Sequence, residues 1–160
     1  MARHESETNP DGIEPVPASL SDSAGFLLNR AARIIREMVS EALQPLGLSP
    51  QEMGLLKLLA AGGPSTQQGL CTKHNIDRTT MVQLVDGLEE RQLVIRQPSS
   101  ADRRANLIFL TPRGRKTLSK ASRLAQKQQQ RFLSPLSEPE WEVLRQHLIK
   151  LLEYHGRNEV

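Results

Sequence analysis

The chain has 160 residues, of which 38% are hydrophobic and 3% aromatic, so it is long enough for one compact unit whose core must consist mainly of aliphatic side chains. Its single cysteine, Cys71, excludes an intrachain disulfide and a thiolate-rich zinc site, and no apolar run approaches the roughly 18 residues of a membrane span. The formal charge is +3, but residues 1–18 hold one basic and four acidic residues, so the remainder carries +6 and suits a polyanionic partner.

Residues 1–18 predict a disordered tail. This segment contains three prolines and almost nothing to bury. It also lacks the apolar stretch of a secretory signal. We therefore expect a soluble, cytoplasmic protein.

A long amphipathic helix is predicted next, over 20–43, and we assign 19–48 to an N-terminal dimerisation helix. At helical spacing, Arg30 and Arg33 fall along one edge of the apolar face with Glu37 between them, and Arg36 points to the opposite, solvent side.

Two further helices and a tight turn follow. Ser49, Pro50 and Glu52 have the spacing of a capping box with proline at the first helical position. Another short helix is predicted over 65–74, which Ser65 or Thr66 can cap, and Asn75 suits the left-handed turn after it, because asparagine tolerates positive φ. A short helix, a tight turn and a second amphipathic helix form a helix-turn-helix.

The stretch 77–111 predicts that second helix, capped by Asp77, and a two-stranded wing. The helix has an apolar stripe formed by Met81, Leu84, Val85 and Leu88. Strand-like runs at 93–96 and 107–110 enclose a polar turn that ends in a charged cluster. Such a shape suits duplex DNA, because the helix fits the major groove and the wing reaches the neighbouring backbone or minor groove. We assign 49–111 to a winged helix-turn-helix lobe.

Two more helices are predicted after the wing, in a fold that is mainly α with a small β-wing. The first, 112–132, has thin apolar content, whereas the second carries a regular stripe of Trp141, Leu144, Leu148, Leu151 and Leu152. Apolar helices beside a small domain usually pack against each other or a second copy. We therefore assign 112–155 to dimerisation and 156–160 to a frayed tail. A symmetric dimer would set two recognition helices about 34–36 Å apart.

Candidate DNA contacts concentrate at the start of the recognition helix. Four polar residues there can meet base edges and phosphates, aided by the helix dipole: Arg78, Thr79, Thr80 and Gln83. Phosphates would repel Asp86, Glu89 and Glu90, so only the first two turns should enter the groove. Phosphate candidates on the preceding helix are Thr66, Gln67, Gln68 and Lys73. A plain solvated helix face is the alternative.

Arg103 and Arg104 lie near the predicted wing tip. One arginine can enter the minor groove, where narrow A·T tracts attract it, while the other can pair with Asp102 and stabilise the wing. The alternative is a surface salt bridge of little energetic worth.

These motifs resemble the MarR family of bacterial transcriptional regulators, over roughly 26–152. The most specific parts are IDRTTMVQLVDGLEERQLVIR and DRRANLIFLTPRG, the second of which is similar to the family's wing signature. The resemblance implies a winged helix-turn-helix dimer that binds pseudo-palindromic operators and usually represses. It further implies release from DNA by a small, often anionic aromatic ligand, bound between the dimer region and the DNA-binding lobe. The family pattern most often places the minor-groove arginine at Arg104.

Three positions depart from the family pattern. Gln92 stands where the family usually has glycine at the end of the recognition helix, which predicts a corner built differently. Asn75 replaces a turn glycine, and His74 replaces a leucine that generally faces the core. Peroxide-sensing members of the family resemble one another in a reactive cysteine near the N-terminus, and no cysteine lies in the first helix of this chain. Cys71 instead falls at a position where the family usually has a small core residue. This arrangement argues against thiol sensing.

Other kinds of site have weaker support. Arg30 and Arg33 could line an anion pocket, but Glu37 can pair with Arg33 and would repel an anion, so a solvated face or a bridge across the dimer is the alternative. Cys71 and His74 alone do not form a metal site, and we predict neither metal nor cofactor. We find no phosphate loop or nucleophile arrangement typical of an enzyme. A winged protein-interaction module without DNA contact is the alternative function.

Overall fold

The described part of the chain, residues 14–98 and 106–156 of a computed structural model, is mainly helical with a small antiparallel sheet. The helices are α1 (Ala24–Leu43), α2 (Pro50–Gly62), α3 (Gln67–His74), α4 (Arg78–Glu90), α5 (Pro112–Leu133) and α6 (Glu138–Gly156). The strands are β1 (Ser65–Thr66), β2 (Val94–Pro98) and β3 (Asn106–Leu110). Short 3₁₀ turns cover Ala18–Leu20 and Gln44–Leu46. This architecture confirms the predicted fold class.

Side-chain caps fix most helix starts where the sequence predicts them. At α2 the Ser49 amide donates to Glu52 Oε2 at 2.9 Å, and the Glu52 amide donates to Ser49 Oγ at 3.2 Å, a complete capping box. The prediction for α1 was too long: the helix begins at Ala24 rather than at residue 20, because Ser23 is its N-cap and Leu20 ends a 3₁₀ turn. Of the predicted tail, only its last residues fall in the described range.

The sheet has one more strand than the sequence predicted. Ser65 was expected to open a helix, but Ser65–Thr66 pairs with β3 instead, and α3 begins only at Gln67. The strand order is β1-β3-β2, with Val94 opposite Leu110 and Pro98 opposite Asn106 in the wing hairpin. A two-residue strand has no detectable alternation, so only pairing with β3 reveals it.

The core lies where α2, α3 and α4 meet the sheet and α5. Its fully buried large side chains are Leu43, Leu55, Leu56, Leu70, Met81, Val85, Leu88, Val94 and Ile108. No polar or charged residue among those described is buried. One buried face of α5 (Gly114, Leu118, Ala121 and Ala125) completes this core, and α5 also packs along α1 and α2.

Gly114 sets how closely α5 approaches the sheet. A Cβ on this residue would lie 2.0 Å from the Leu93 carbonyl oxygen and 2.7 Å from Leu110 Cδ1. The Thr111 hydroxyl caps α5 by accepting from the Gly114 amide at 2.9 Å and also donates to the Gln92 carbonyl at 2.8 Å. The first turn of α5 is therefore held directly against the base of the wing.

The last helix contrasts with this core, because α6 has no buried residue. In its predicted apolar stripe, Leu144 is 41%, Leu151 52% and Leu152 73% exposed, while Trp141 and Leu148 are half-buried. A stripe of this size normally needs a covering surface. No helix in the described residues has the length and apolar character needed to cross a membrane.

Candidate nucleic-acid interface

Side-chain hydrogen bonds cap the starts of both helices of the helix-turn-helix. Thr66 caps α3 by accepting from the Gly69 amide at 3.1 Å. Asn75 adopts a left-handed conformation with φ of 50°, as predicted. Asp77 caps α4, accepting from the Thr80 amide at 3.0 Å and from the Thr80 hydroxyl at 2.6 Å. These bonds with Thr80 lower the pKa of Asp77, so the capping group stays a carboxylate and orients the helix start.

The first turns of α4 present a polar edge to solvent. Arg78, Thr79 and Gln83 are exposed, on the side away from the buried Met81, Val85 and Leu88. Thr80 is half-buried, and its hydroxyl proton is used in the Asp77 cap. It can therefore meet DNA only as an acceptor or through its methyl group.

Sequence reasoning missed one member of this edge. Val82 is 37% exposed and follows Arg78 by one helical turn, between the predicted contacts. An apolar side chain at such a place can contact the thymine methyl group in the major groove. The same helical spacing that selected Arg78 and Gln83 could have identified Val82.

The predicted phosphate contacts on the preceding helix differ in accessibility. Gln68 and Lys73 are exposed on α3. Thr66 is half-buried and already caps the helix. Gln67 is half-buried, and its Nε2 is sealed from solvent with no hydrogen-bond partner among the described residues. The α3 surface available to phosphates is therefore centred on Gln68 and Lys73.

The acidic second half of α4 is tied to the wing. Arg96 of β2 forms ion pairs with both Asp86 and Glu89, and its amide donates to Glu89 Oε1 at 2.9 Å. Partial burial alone would lower the pKa of Arg96, but the two carboxylates outweigh it and raise the pKa above its ordinary value. Arg96 therefore couples the wing strand to the recognition helix, a role that sequence spacing does not reveal.

A second arginine fixes the end of α4. Arg91 Nε donates to the Gly87 carbonyl at 2.7 Å, and the guanidinium also contacts the Gly47 carbonyl and Glu52. Because Glu52 belongs to the α2 capping box, Arg91 links the start of α2 to the end of the recognition helix.

The turn after α4 has a left-handed backbone conformation, which glycine usually adopts, although no glycine is present there. Gln92 has a φ of 58° and donates its amide to the Glu89 carbonyl at 2.8 Å. Gln92 therefore adopts the left-handed conformation that glycine favours, at a steric cost that glycine would not have, and whether this corner differs from the family pattern stays a prediction.

The wing-tip residues Asp102, Arg103 and Arg104 lie outside the described residues, so their assigned roles stay predictions.

Arg30 and Arg33 both line one depression of about 280 Å³, together with Glu14, Phe26 and Asn29, and Arg33 also borders a second, larger depression. Arg30 contacts the carbonyl oxygens of Glu14 and Pro15, and its Cζ lies 5.8 Å from the centre of the Phe26 ring. Arg33 pairs with Glu37 at 3.3 Å, the interaction expected from their spacing.

The larger depression, about 490 Å³, lies between α1 and the start of α2. It is lined by Arg33, Arg36, Glu37, Ser40, Ser49 and Gln51, among others. Arg36 is exposed but joins Arg33 here, although helical periodicity alone placed it on the opposite side.

His74 has a structural position rather than a metal-binding one. Its Nε2 lies 3.1 Å from the Gln51 carbonyl oxygen, and the ring sits over Gly54, where a Cβ would approach Nε2 to 2.7 Å. Cys71 is buried in the core. In the described ranges, no three histidine, cysteine or acidic side chains converge on a common point.

Comparison with known proteins agrees with this architecture. Residues 46–105 match the sequence model described as the MarR family. The chain is 30% identical over 134 residues to an HTH-type transcriptional repressor of Mycobacterium tuberculosis, covering 82% of this chain and 96% of that protein. It is also 30% identical over 142 residues to a candidate regulatory protein for the hcr operon of Thauera aromatica, covering 88% and 86% respectively.

Solved structures show the same similarity in three dimensions. The transcriptional repressor CouR, bound to a 23-mer DNA duplex, superposes with a TM-score of 0.79 at 31% identity, covering 87% of this chain and 99% of that chain. CouR from Rhodococcus jostii RHA1, bound to p-coumaroyl-CoA, superposes with a TM-score of 0.75 at 31% identity, covering 86% and 95%.

Proposed function

This chain belongs to the MarR family of winged helix-turn-helix transcriptional regulators, and on that basis we propose that it is a homodimeric repressor that reads a pseudo-palindromic operator and is released by an anionic aromatic ligand. Membership makes it a DNA-binding regulator rather than an enzyme.

The observation that carries the proposal is the exposed start of α4 beside a wing tied to the same helix. Arg78, Thr79 and Gln83 project from the positive end of the helix dipole, where base edges and phosphates can be met together. Gln68 and Lys73 supply backbone contacts from α3. We further propose that Arg104 of the wing reaches the minor groove, as the family pattern favours, while Arg103 pairs with Asp102.

The uncovered stripe of α6 supports the dimer. Leu144, Leu151 and Leu152 are large, apolar and exposed within one chain. A second copy covers this surface most simply, because a two-fold interface matches a stripe with itself. The same symmetry accounts for the two half-sites of a palindromic operator.

The cavity between α1 and α2 supports an anionic effector. Arg33 and Arg36 line it beside the start of α2, and although Glu37 lies there too, paired with Arg33, the lining keeps one excess positive charge next to the helix dipole. CouR binds p-coumaroyl-CoA, which is both aromatic and anionic. The cavity adjoins the Ser49 and Glu52 capping box, and Arg91 connects Glu52 to the end of α4. A ligand there can therefore bias the position of the recognition helix.

The test begins by selecting bound fragments from genomic DNA and titrating one of them in gel shifts. The Arg78→Ala/Gln83→Ala variant should bind about 100-fold more weakly or worse, since each bidentate base contact contributes about 1–3 kcal/mol. Glu90→Ala is the matched control on the same helix and should not weaken binding. If no fragment is enriched at low salt, operator binding is wrong and a protein-interaction module becomes the better explanation.

The effector is tested on the same complex with p-coumaroyl-CoA and free p-coumaric acid as probes. Release of DNA by either compound, lost in Arg33→Gln/Arg36→Gln but kept in the control Lys57→Gln, supports the cavity. Release that the double variant leaves unchanged contradicts it.

A further inference from the structure

One face of α5 carries only basic residues. The helix contains seven arginines and lysines and no acidic residue. At about 100° per residue, six of the seven fall within an arc of about 80°, and no other residue of the helix lies in that arc. We call these six the α5 basic stripe: Arg113, Lys116, Lys120, Arg123, Lys127 and Arg131.

The stripe faces solvent. All six residues are exposed, and they lie opposite the face on which Gly114, Leu118, Ala121 and Ala125 are buried. Five of them have no ion pair or side-chain hydrogen bond within residues 14–98 and 106–156: Arg113, Lys116, Lys120, Arg123 and Lys127.

Several arginines elsewhere in the described chain are paired with carboxylates, unlike the five stripe residues named above. Arg91 and Arg96 pair with carboxylates of α2 and α4, and Arg145 pairs with Glu142 within α6. An ordinary solvated helix face mixes signs in this way, because like charges at i, i+4 destabilise a helix. Lys116 with Lys120 and Arg123 with Lys127 have that unfavourable spacing. The stripe therefore carries a repulsion that an external polyanion would remove.

The geometry of the stripe fits a nucleic-acid backbone. From Arg113 to Arg131 the helix rises about 27 Å, with a cation about every 4.5–6 Å. One strand of B-DNA presents about eight phosphates over that length. The arc contains no apolar side chain for insertion into a membrane and no aromatic anchor for a protein interface.

The stripe is also continuous with the DNA-binding lobe. It begins in the first turn of α5, which Thr111 and Gly114 hold against Gln92 and Leu93 at the base of the wing. We propose that the α5 basic stripe is a second DNA-binding surface, which docks on the phosphates of duplex DNA without reading sequence and is separate from the operator contacts of α4.

The test compares two triple variants that change the net charge equally. Lys116→Gln/Lys120→Gln/Lys127→Gln removes three of the six charges of the stripe, and Lys57→Gln/Arg115→Gln/Lys150→Gln removes three exposed cations outside it. Binding to a duplex without an operator is measured against salt concentration. For the stripe variant we expect affinity at least about tenfold lower, and a log–log salt slope shallower by up to about 2.7. The control should keep the slope of the native protein.

Two further measurements make the outcome specific. Circular dichroism and light scattering check that both variants remain folded and keep their oligomeric state. The ratio of operator affinity to non-operator affinity measures the sequence preference assigned to α4 separately from the stripe. If the native protein showed no preference for its operator, the proposed function would be contradicted, but the salt slopes of the two triple variants would still test the stripe. Equal salt slopes for the two triple variants would overturn the stripe proposal. Loss of binding only to anionic phosphatidylglycerol vesicles would overturn it in favour of a lipid surface.

Discussion

The DNA-binding lobe and helix α6 place their apolar side chains in opposite ways. Between α2 and β3, most of the large aliphatic residues pack into one core in which Leu55, Leu56, Met81 and Leu88 are fully buried. In α6 no residue is buried, and Leu152 is 73% exposed. The lobe thus buries its apolar side chains within one chain, whereas α6 leaves an apolar surface that a second copy would cover in the proposed dimer. Mutations in the lobe should act independently of protein concentration, and mutations in α6 should not.

The largest effect is expected from Gly114→Ala. The added Cβ would meet the Leu93 carbonyl oxygen at 2.0 Å, and backbone cannot move aside as a side chain can. We expect the free energy of unfolding to fall by about 3 kcal/mol or more, measured by urea denaturation. Gly25→Ala, with nothing within 4 Å, is the control and should change stability by about 0.5 kcal/mol or less. Equal effects would show that the contact between α5 and the wing is not tight.

Next comes the double substitution Leu151→Asp/Leu152→Asp in α6. Charges on the apolar stripe of α6 should separate the proposed dimer without unfolding the lobe. Operator affinity should then fall about 100-fold or more, because the two half-sites are no longer bound by linked lobes. Analytical ultracentrifugation measures the dissociation of the dimer, and gel shifts measure the operator affinity. Gln146→Asp adds charge to an exposed polar position of the same helix and should leave both unchanged. A double variant that stays dimeric would mean that α6 is not the interface.

Arg96→Gln should have an intermediate effect confined to the lobe. Losing the ion pairs to Asp86 and Glu89 frees the wing strand from α4. We expect about tenfold weaker operator binding, equivalent to one charge-assisted hydrogen bond of about 1.5 kcal/mol. Arg145→Gln removes a comparable pair in α6 and should leave lobe function intact. Native operator affinity in Arg96→Gln would show that the wing keeps its position without this contact.

The smallest predicted effect is a gain in stability from Gln92→Gly. Glycine adopts a φ of 58° without the steric cost of a Cβ, so we expect stabilisation by about 0.5–1 kcal/mol in thermal or urea unfolding. Gln126→Gly makes the same exchange in the helical backbone of α5 and should instead destabilise by about 1 kcal/mol. The same sign at both positions would contradict the argument from backbone conformation.

Much of the fold followed from local signals. The capping box at Ser49, the caps at Asp77 and Thr66 and the left-handed turn at Asn75 are all present. Each depends on groups within a few residues, so their spacing in the chain is sufficient to identify them. The start of α1 was misplaced because apolar periodicity continues beyond the Ser23 cap into a 3₁₀ turn.

The candidate site also contains features that local spacing predicts and features that depend on packing of the whole lobe. Arg78, Thr79 and Gln83 are exposed as the helical spacing indicated, whereas Gln67 turns its amide nitrogen inward. Helical spacing gives the direction of a side chain from its own helix, but which neighbours cover it depends on packing of the whole lobe. For that reason the pairing of Arg96 with α4, and the meeting of Arg33 and Arg36 at one cavity, could not be predicted from spacing alone.

By itself, the sequence determined the helix order, the turn of the helix-turn-helix and the two strands of the wing hairpin, because these follow from hydrogen bonds and periodicity within short segments. Only the tertiary structure decided that Ser65–Thr66 joins the sheet and that Gly114 must lack a side chain. It also decided that Gln92 keeps a left-handed backbone and that α6 is left uncovered within one chain. Each of these depends on contacts between segments distant in the chain or on how the elements pack, which local pattern does not encode.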